Sequence, residues 1–131
     1  MRLLLDTHVF LWWLRDDRRL GRGARGTIGD PRSEVRVSAV SIWEIALKTS
    51  VGKLEWRDGP STTLATCIAD SGFAELAVTA SHAAAVRDLP AHHADPFDRL
   101  LLAQASCEDL CIVSADDAMR RYRVDMVDAT S

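Results

Sequence analysis

Arg2-Leu-Leu-Leu5-Asp6-Thr7-His8-Val9-Phe10-Leu-Trp-Trp13-Leu14 is the stretch whose reading decides the fold. Residues 2–5 are a short apolar run that stops abruptly at Asp6-Thr7. Beyond it Val9, Phe10, Trp13 and Leu14 recur at helical spacing. The order is strand, turn, helix, with an acid at the turn.

The same order recurs along the chain. Residues 35–40 alternate apolar and polar like a strand, and Ser41-Ile-Trp-Glu44 opens a helix to Ser50, with Gly52 as its stop. Between them and the first helix, the glycine-rich stretch 21–31 predicts one short helix flanked by loops. Leu64, Ala65 and Ile68 give residues 60–70 helical spacing, 73–78 reads as a strand, and 81–89 as a helix closed by Pro90. Asp95-Pro96 starts another helix, with Asp at the cap and Pro at the first helical position, running to Cys107. Residues 110–113 form a buried strand, Ser114-Ala-Asp116-Asp117 opens a last helix to Arg121, and 124–127 supply an edge strand. Parallel neighbours need a crossover that a helix provides. The predicted fold is therefore α/β, a three-layer α/β/α sandwich with a mostly parallel central sheet.

With 131 residues and 47% apolar composition, the chain is expected to form a single domain over 1–131. A formal charge of −3 and a pI near 5.7 argue against a nucleic-acid binder that works by overall positive charge. The charge is unevenly spread: Arg15, 18, 19, 22, 25, 32 and 36 face only Asp16, Asp17, Asp30 and Glu34, so this segment is +3. It reads either as a solvated surface or as a track for a phosphate backbone. Three cysteines without C-x-x-C spacing, and the lack of a cleavable signal or long apolar run, lead us to expect a cytoplasmic protein with reduced thiols and no membrane association. The four histidines lack zinc-finger spacing.

In open parallel sheets, ligands bind beyond the carboxyl ends of the strands. Asp6, Glu44 and Asp116 each follow a predicted strand end. Taken singly, each acid is also explained by its helix, because acids in a first turn offset the helix dipole. Glu44 completes a capping box with Ser41, Asp95 reads as an N-cap, and Asp98 sits three residues after it. Taken together, they converge on one edge, where mutual repulsion would raise their pKa values unless a cation is present. A hard divalent cation such as Mg2+ meets that need and leaves coordination positions for a phosphate. The chemistry this points to is phosphodiester hydrolysis, with the arginine run as a possible backbone grip. One cation or two remain equally open.

Four ordered segments resemble the PIN-domain toxins of the VapC family: Leu3-Leu-Leu-Asp6-Thr7-His8, Ser41-Ile-Trp-Glu44-Ile, His93-Ala-Asp95-Pro-Phe-Asp98-Arg-Leu-Leu-Leu-Ala-Gln104, and Val113-Ser114-Ala-Asp116. The resemblance spans nearly the whole chain. It implies that Asp6, Glu44 and Asp98 are the main metal-binding and catalytic acids, with Asp116 the fourth. It also implies endonucleolytic cleavage of RNA with Mg2+ or Mn2+ as cofactor. The implied partners are the RNA substrate, a cognate antitoxin protein, and a second toxin copy in a homodimer or larger toxin–antitoxin assembly. Ser114 stands where the family often has Thr, which keeps the hydroxyl. Asp95 and Asp117 are better explained as cap and first-turn acid, and Thr7 and Ser114 read equally as caps or as groups that orient substrate or water.

Two other uses of such a sheet fit less well. A phosphorylation-switch receiver needs a lysine after a late strand, whereas Lys48 and Lys53 both lie near the third helix. A phosphatase with an Asp-x-Asp nucleophile lacks its second Asp at His8. A catalytically silent binding module on the same fold is the remaining alternative. Of the four tryptophans, Trp13 and Trp43 are expected in the core.

Overall fold

Arg2–Leu5 forms β1, the central strand of a five-stranded, wholly parallel sheet in the computed structural model, which describes residues 1–131. The other strands are β2 (Glu34–Ser38), β3 (Ala74–Leu76), β4 (Cys111–Ser114) and β5 (Met126–Asp128), in the order β3-β2-β1-β4-β5. Leu3, Leu4 and Leu5 are all fully buried, which explains the continuous apolar run: a central parallel strand is covered on both faces. Side chains alternate between two cores. Leu3, Leu5, Val35, Val37 and Val113 pack with Val9 and Phe10 of α1 (Thr7–Arg15), Ala24 and Ile28 of α2 (Arg22–Gly29), and Ile68 of α4 (Cys67–Asp70). Leu4 and Ile112 point the other way, onto Leu101, Leu102 and Ala105 of α6 (Pro96–Glu108). Each fully buried aliphatic side chain stabilises by roughly 1.5–3 kcal/mol. The predicted three-layer architecture is the observed one.

Helix α3 (Ala39–Ser50) packs against both α1 and α6, and α5 (Ala80–Ala85) lies on α6. The start of α3 corrects the sequence reading. Its cap is Ser38, whose Oγ accepts from the Val40 N–H at 3.0 Å and donates to Gln104 Oε1 at 2.6 Å, so Ser41 and Glu44 form no capping box. Residues 39–40 belong to the helix rather than the strand, and Glu44 lies in its second turn. Three other elements are shorter or tighter than expected. Only Cys67–Asp70 is helical within 60–70, α5 gives way to a 3-10 turn at Val86–Asp88, and the last helix is a 3-10 turn, Asp117–Arg121.

Trp13 is half-buried against the first core as expected, but Trp43 is 57% exposed and meets Phe97 edge-to-face at 4.8 Å between ring centroids. The start of α2 is tied to the last residues described. Gly21 N–H donates to Ala129 O at 2.8 Å and Ala24 N–H to Ser131 O at 3.1 Å. A Cβ on Gly21 would fall 2.1 Å from Ser131 O, so only glycine fits there.

Candidate active site

The strand order reverses between β1 and β4: the chain builds outward from β1 through β2 and β3, then crosses to β4 and β5. At such a switch point the loops leaving adjacent strands diverge and open a crevice. Asp6 stands at this point as the cap of α1 and is 2% exposed. Its Oδ1 accepts from Thr7 N–H at 2.7 Å, its Oδ2 accepts from Ser114 Oγ at 2.7 Å, and His8 Nδ1 lies 3.3 Å from Oδ2. Glu44 reaches the same place from α3 and is 6% exposed. One of its oxygens, Oε2, is ion-paired with Lys48 one turn on, while Oε1 is buried with no partner. Asp98 arrives from the first turn of α6, behind an N-cap formed by Asp95, whose Oδ1 accepts from Phe97 N–H at 2.8 Å.

Asp6, Glu44, Asp95 and Asp98 line one cleft of about 350 Å³, together with His8, Lys48 and Lys53. Asp116 stands beside this cleft rather than in its wall. His93 links it to the others, with Nε2 2.8 Å from Asp98 Oδ2 and 2.9 Å from Asp116 Oδ2. Ser114 supplies a second link, accepting from Asp116 N–H at 3.0 Å while donating to Asp6. Asp116 also caps the final 3-10 turn through Ala118 N–H. Asp117 is an exposed first-turn acid paired with Arg120. The Thr7 hydroxyl donates to Ser41 Oγ at 2.9 Å, so Thr7 and Ser114 are both committed to holding the scaffold.

The electrostatics follow from this crowding. Burial pushes the Asp98 carboxyl up to about 7, and the nearby Asp6, Asp95 and Glu44 add to the rise while His93 opposes it. Burial also raises Asp6, against the opposing pull of His8 and the hydrogen bonds from Ser114 and Thr7. Burial alone would lower the His93 imidazole, but the bond to Asp116 and the charge of Asp98 leave it raised. Lys48 is raised by its bond to Glu44. Buried carboxylates that repel one another, and one oxygen with no donor at all, form a donor set short of positive charge. A hard divalent cation fits it, because such ions take carboxylate oxygens and keep water or phosphate in the remaining positions. His93, Asp98 and Asp116 bring ligand atoms within 4.8 Å of one another, and Asp6 and Glu44 line the cleft beside them, so these residues could hold it.

Three participants were not legible as site residues. His93 lies before the Asp95-Pro-Phe-Asp98 segment, but its partner Asp116 is distant in sequence, so spacing gave no signal. Lys48 and Lys53 were read only as lysines in the wrong place for a receiver. Three of the seven arginines of the run are paired locally: Arg19 with Asp17, Arg25 with Asp16, and Arg32 with Asp30. No arginine lines the cleft.

Comparison with known families settles the assignment of the fold. The family model of the PIN domain matches residues 3–125. The chain belongs to the PIN domain family. Among curated relatives, the ribonuclease VapC22 of Mycobacterium tuberculosis is 29% identical over 129 residues, covering 92% of each chain. Two solved structures share the PIN fold at low identity. In VapBC2 from Rickettsia felis, bound to a promoter DNA fragment, the match has a TM-score of 0.70 at 12% identity and covers 97% of this chain and 98% of that one. In VapBC-1 from nontypeable Haemophilus influenzae the TM-score is 0.66 at 12% identity, with both chains fully covered. In this PIN domain the acid-lined cleft sits at the carboxyl end of the sheet, where β1 and β4 part. No helix is long and apolar enough to cross a membrane.

Proposed function

We propose that this PIN domain is a metal-dependent endoribonuclease, the toxin half of a toxin–antitoxin pair, acting in the cytoplasm as a single domain over 1–131. The observation that carries the reading is the convergence of Asp6, Glu44 and Asp98 on one cleft, with the buried Glu44 Oε1 left without a partner. Buried polar atoms are almost always satisfied, and a cation in the cleft would give this oxygen a partner. The likeness to a VapC ribonuclease and to VapBC structures supports RNA as the substrate and a cognate antitoxin as the partner. A second toxin copy completes the assembly we propose.

Mg2+ is the cofactor we assign, with Mn2+ able to replace it, because four carboxylates line the cleft. When bound, the cation lowers the pKa of an attacking water and neutralises phosphate oxygens. The chain's own part is to position the carboxylates and to oppose their mutual repulsion. Asp6 has three donors around it. His93 sits between Asp98 and Asp116, and Lys48 ion-pairs with Glu44. Asp6, Glu44, Asp98 and Asp116 are the catalytic, metal-holding set.

The test is cleavage of a panel of labelled structured RNAs by the purified chain with Mg2+, with Mn2+ and with EDTA, beside Asp98→Asn. Cutting that needs metal and disappears in the variant is expected. Absence of cutting under every condition, with metal binding intact, would turn the reading toward a silent binding module.

A further inference from the structure

The acidic cleft has a basic wall that its carboxylates do not explain. The chain has only two lysines against fourteen arginines, and both of them, Lys48 and Lys53, line this cleft. Building on the nuclease reading, we propose that Lys48 and Lys53 form a subsite for the phosphodiester backbone of RNA, next to the carboxylates that hold the cation.

Charge balance is the first argument. Four carboxylates line the cleft, and one divalent cation offsets only half of them when all are ionised. A cleft left at that balance would still repel a phosphate. The two ammonium groups bring it close to neutral, so an incoming backbone meets positive charge in the cleft wall. The second argument is availability. Lys53 is exposed and makes no ion pair, and the Lys48 side chain is 40% exposed. Lys48 is held through Glu44 Oε2, an atom of the same carboxylate that the cation would draw upon, and lies 6.0 Å over the Phe97 ring. The third is chemistry. A lysine ammonium is a compact charge with three rotatable donors, and it accepts a phosphate in many orientations without the fixed fork an arginine needs. Both lysines are anchored where α3 ends, with Lys53 N–H donating to Lys48 O at 2.9 Å, so the pair is presented from one rigid base.

Lysines at a helix C-terminus also stabilise the helix, and Lys48 supports Glu44, so the experiment must separate RNA contact from structural support. We would measure binding of labelled single-stranded RNA to the full chain by fluorescence anisotropy, across a salt series and with Ca2+ supplied in place of the catalytic cation. Wild type would be compared with Lys48→Met, Lys53→Met and Lys48→Arg, with Mn2+ affinity read separately by calorimetry. Each Met variant is expected to weaken RNA binding several-fold and to reduce the slope of log affinity against log salt by about 0.7, the signature of one lost phosphate contact on a single strand. Lys53→Met should leave Mn2+ affinity unchanged, and Lys48→Arg should keep the wild-type slope. Unchanged slopes, or a loss of RNA affinity matched by an equal loss of Mn2+ affinity, would overturn the assignment and leave the lysines as helix supports. Slopes that the Met variants leave unchanged, combined with Mn2+ binding that Asp98→Asn abolishes, would sink only the lysine subsite. A wild-type chain that binds no RNA would sink the nuclease reading with it.

Discussion

Ser114 Oγ donates to Asp6 Oδ2 at 2.7 Å, so the last residue of β4 fixes the carboxylate that ends β1. The two residues are 108 apart in sequence and both are buried. Ser114→Ala removes the donor and leaves a buried carboxylate oxygen short of a partner, at a cost of about 1–3 kcal/mol. Ser114→Thr keeps the hydroxyl. Urea denaturation should show the Ala variant clearly destabilised and the Thr variant near wild type, and the Ala variant should also bind Mn2+ more weakly.

Asp98→Asn should separate function from folding. Its carboxyl is raised by burial and by neighbouring acids, so ionising it works against the folded state. The amide has nearly the same volume and no charge. We expect the metal-free variant to be at least as stable as wild type at pH 8. Adding Mn2+ should raise the melting temperature of wild type by several degrees and leave the variant where it was.

The pH dependence of the metal-free protein has a definite sign. Asp98 titrates near 7 in the fold against an ordinary value of 3.8, so between those values the folded state binds more protons than the unfolded state. Stability from this group is complete below about pH 4 and is lost as pH rises through about 7. Asp6, also raised, and His93, raised by its carboxylate partners, act in the same direction. Urea midpoints should therefore fall from pH 5 to pH 8 without metal, and saturating Mn2+ should flatten or reverse the trend. A midpoint that climbed with pH in metal-free protein would contradict these shifts.

Gly21→Ala tests the contact between α2 and the end of β5's strand segment. The added Cβ would fall 2.1 Å from Ser131 O and 2.5 Å from Thr130 O, both backbone atoms, so the segment must move rather than a side chain rotate. A loss of about 1–3 kcal/mol is expected, as for overpacking elsewhere. Gly26→Ala, where nothing lies within 4 Å of the added Cβ, is the control and should be neutral or slightly stabilising.

Much of this architecture is written in local pattern. A run of leucines that ends on an acid is what a central parallel strand needs, and Asp95-Pro96 marks the start of α6 to the residue. What failed to show locally was set by distant partners. Ser41-x-x-Glu44 matches a capping box, but Ser38 wins the cap because Gln104 of α6 also bonds its hydroxyl. That shift moves Glu44 out of the first turn, which weakens the capping explanation that competed with its role in the cleft. Trp43 looked like core because large aromatics usually are, yet its position on α3 faces outward beside Phe97. His93 depends on two carboxylates from separate elements, so no spacing rule could reach it.

The placement of β1 has a consequence for how the protein comes into being. β1 is made first, but one of its two neighbours, Cys111–Ser114, comes near the end of the described chain. Pairing so distant in sequence is slow to form, and the central strand stays open on that side until β4 arrives. Asp6 then lacks Ser114, and His93 lacks Asp116, until residues 114–116 have been made. A growing chain would thus carry Asp6, Glu44 and Asp98 before the cleft is assembled, and the proposed activity would appear only after β4 had joined the sheet.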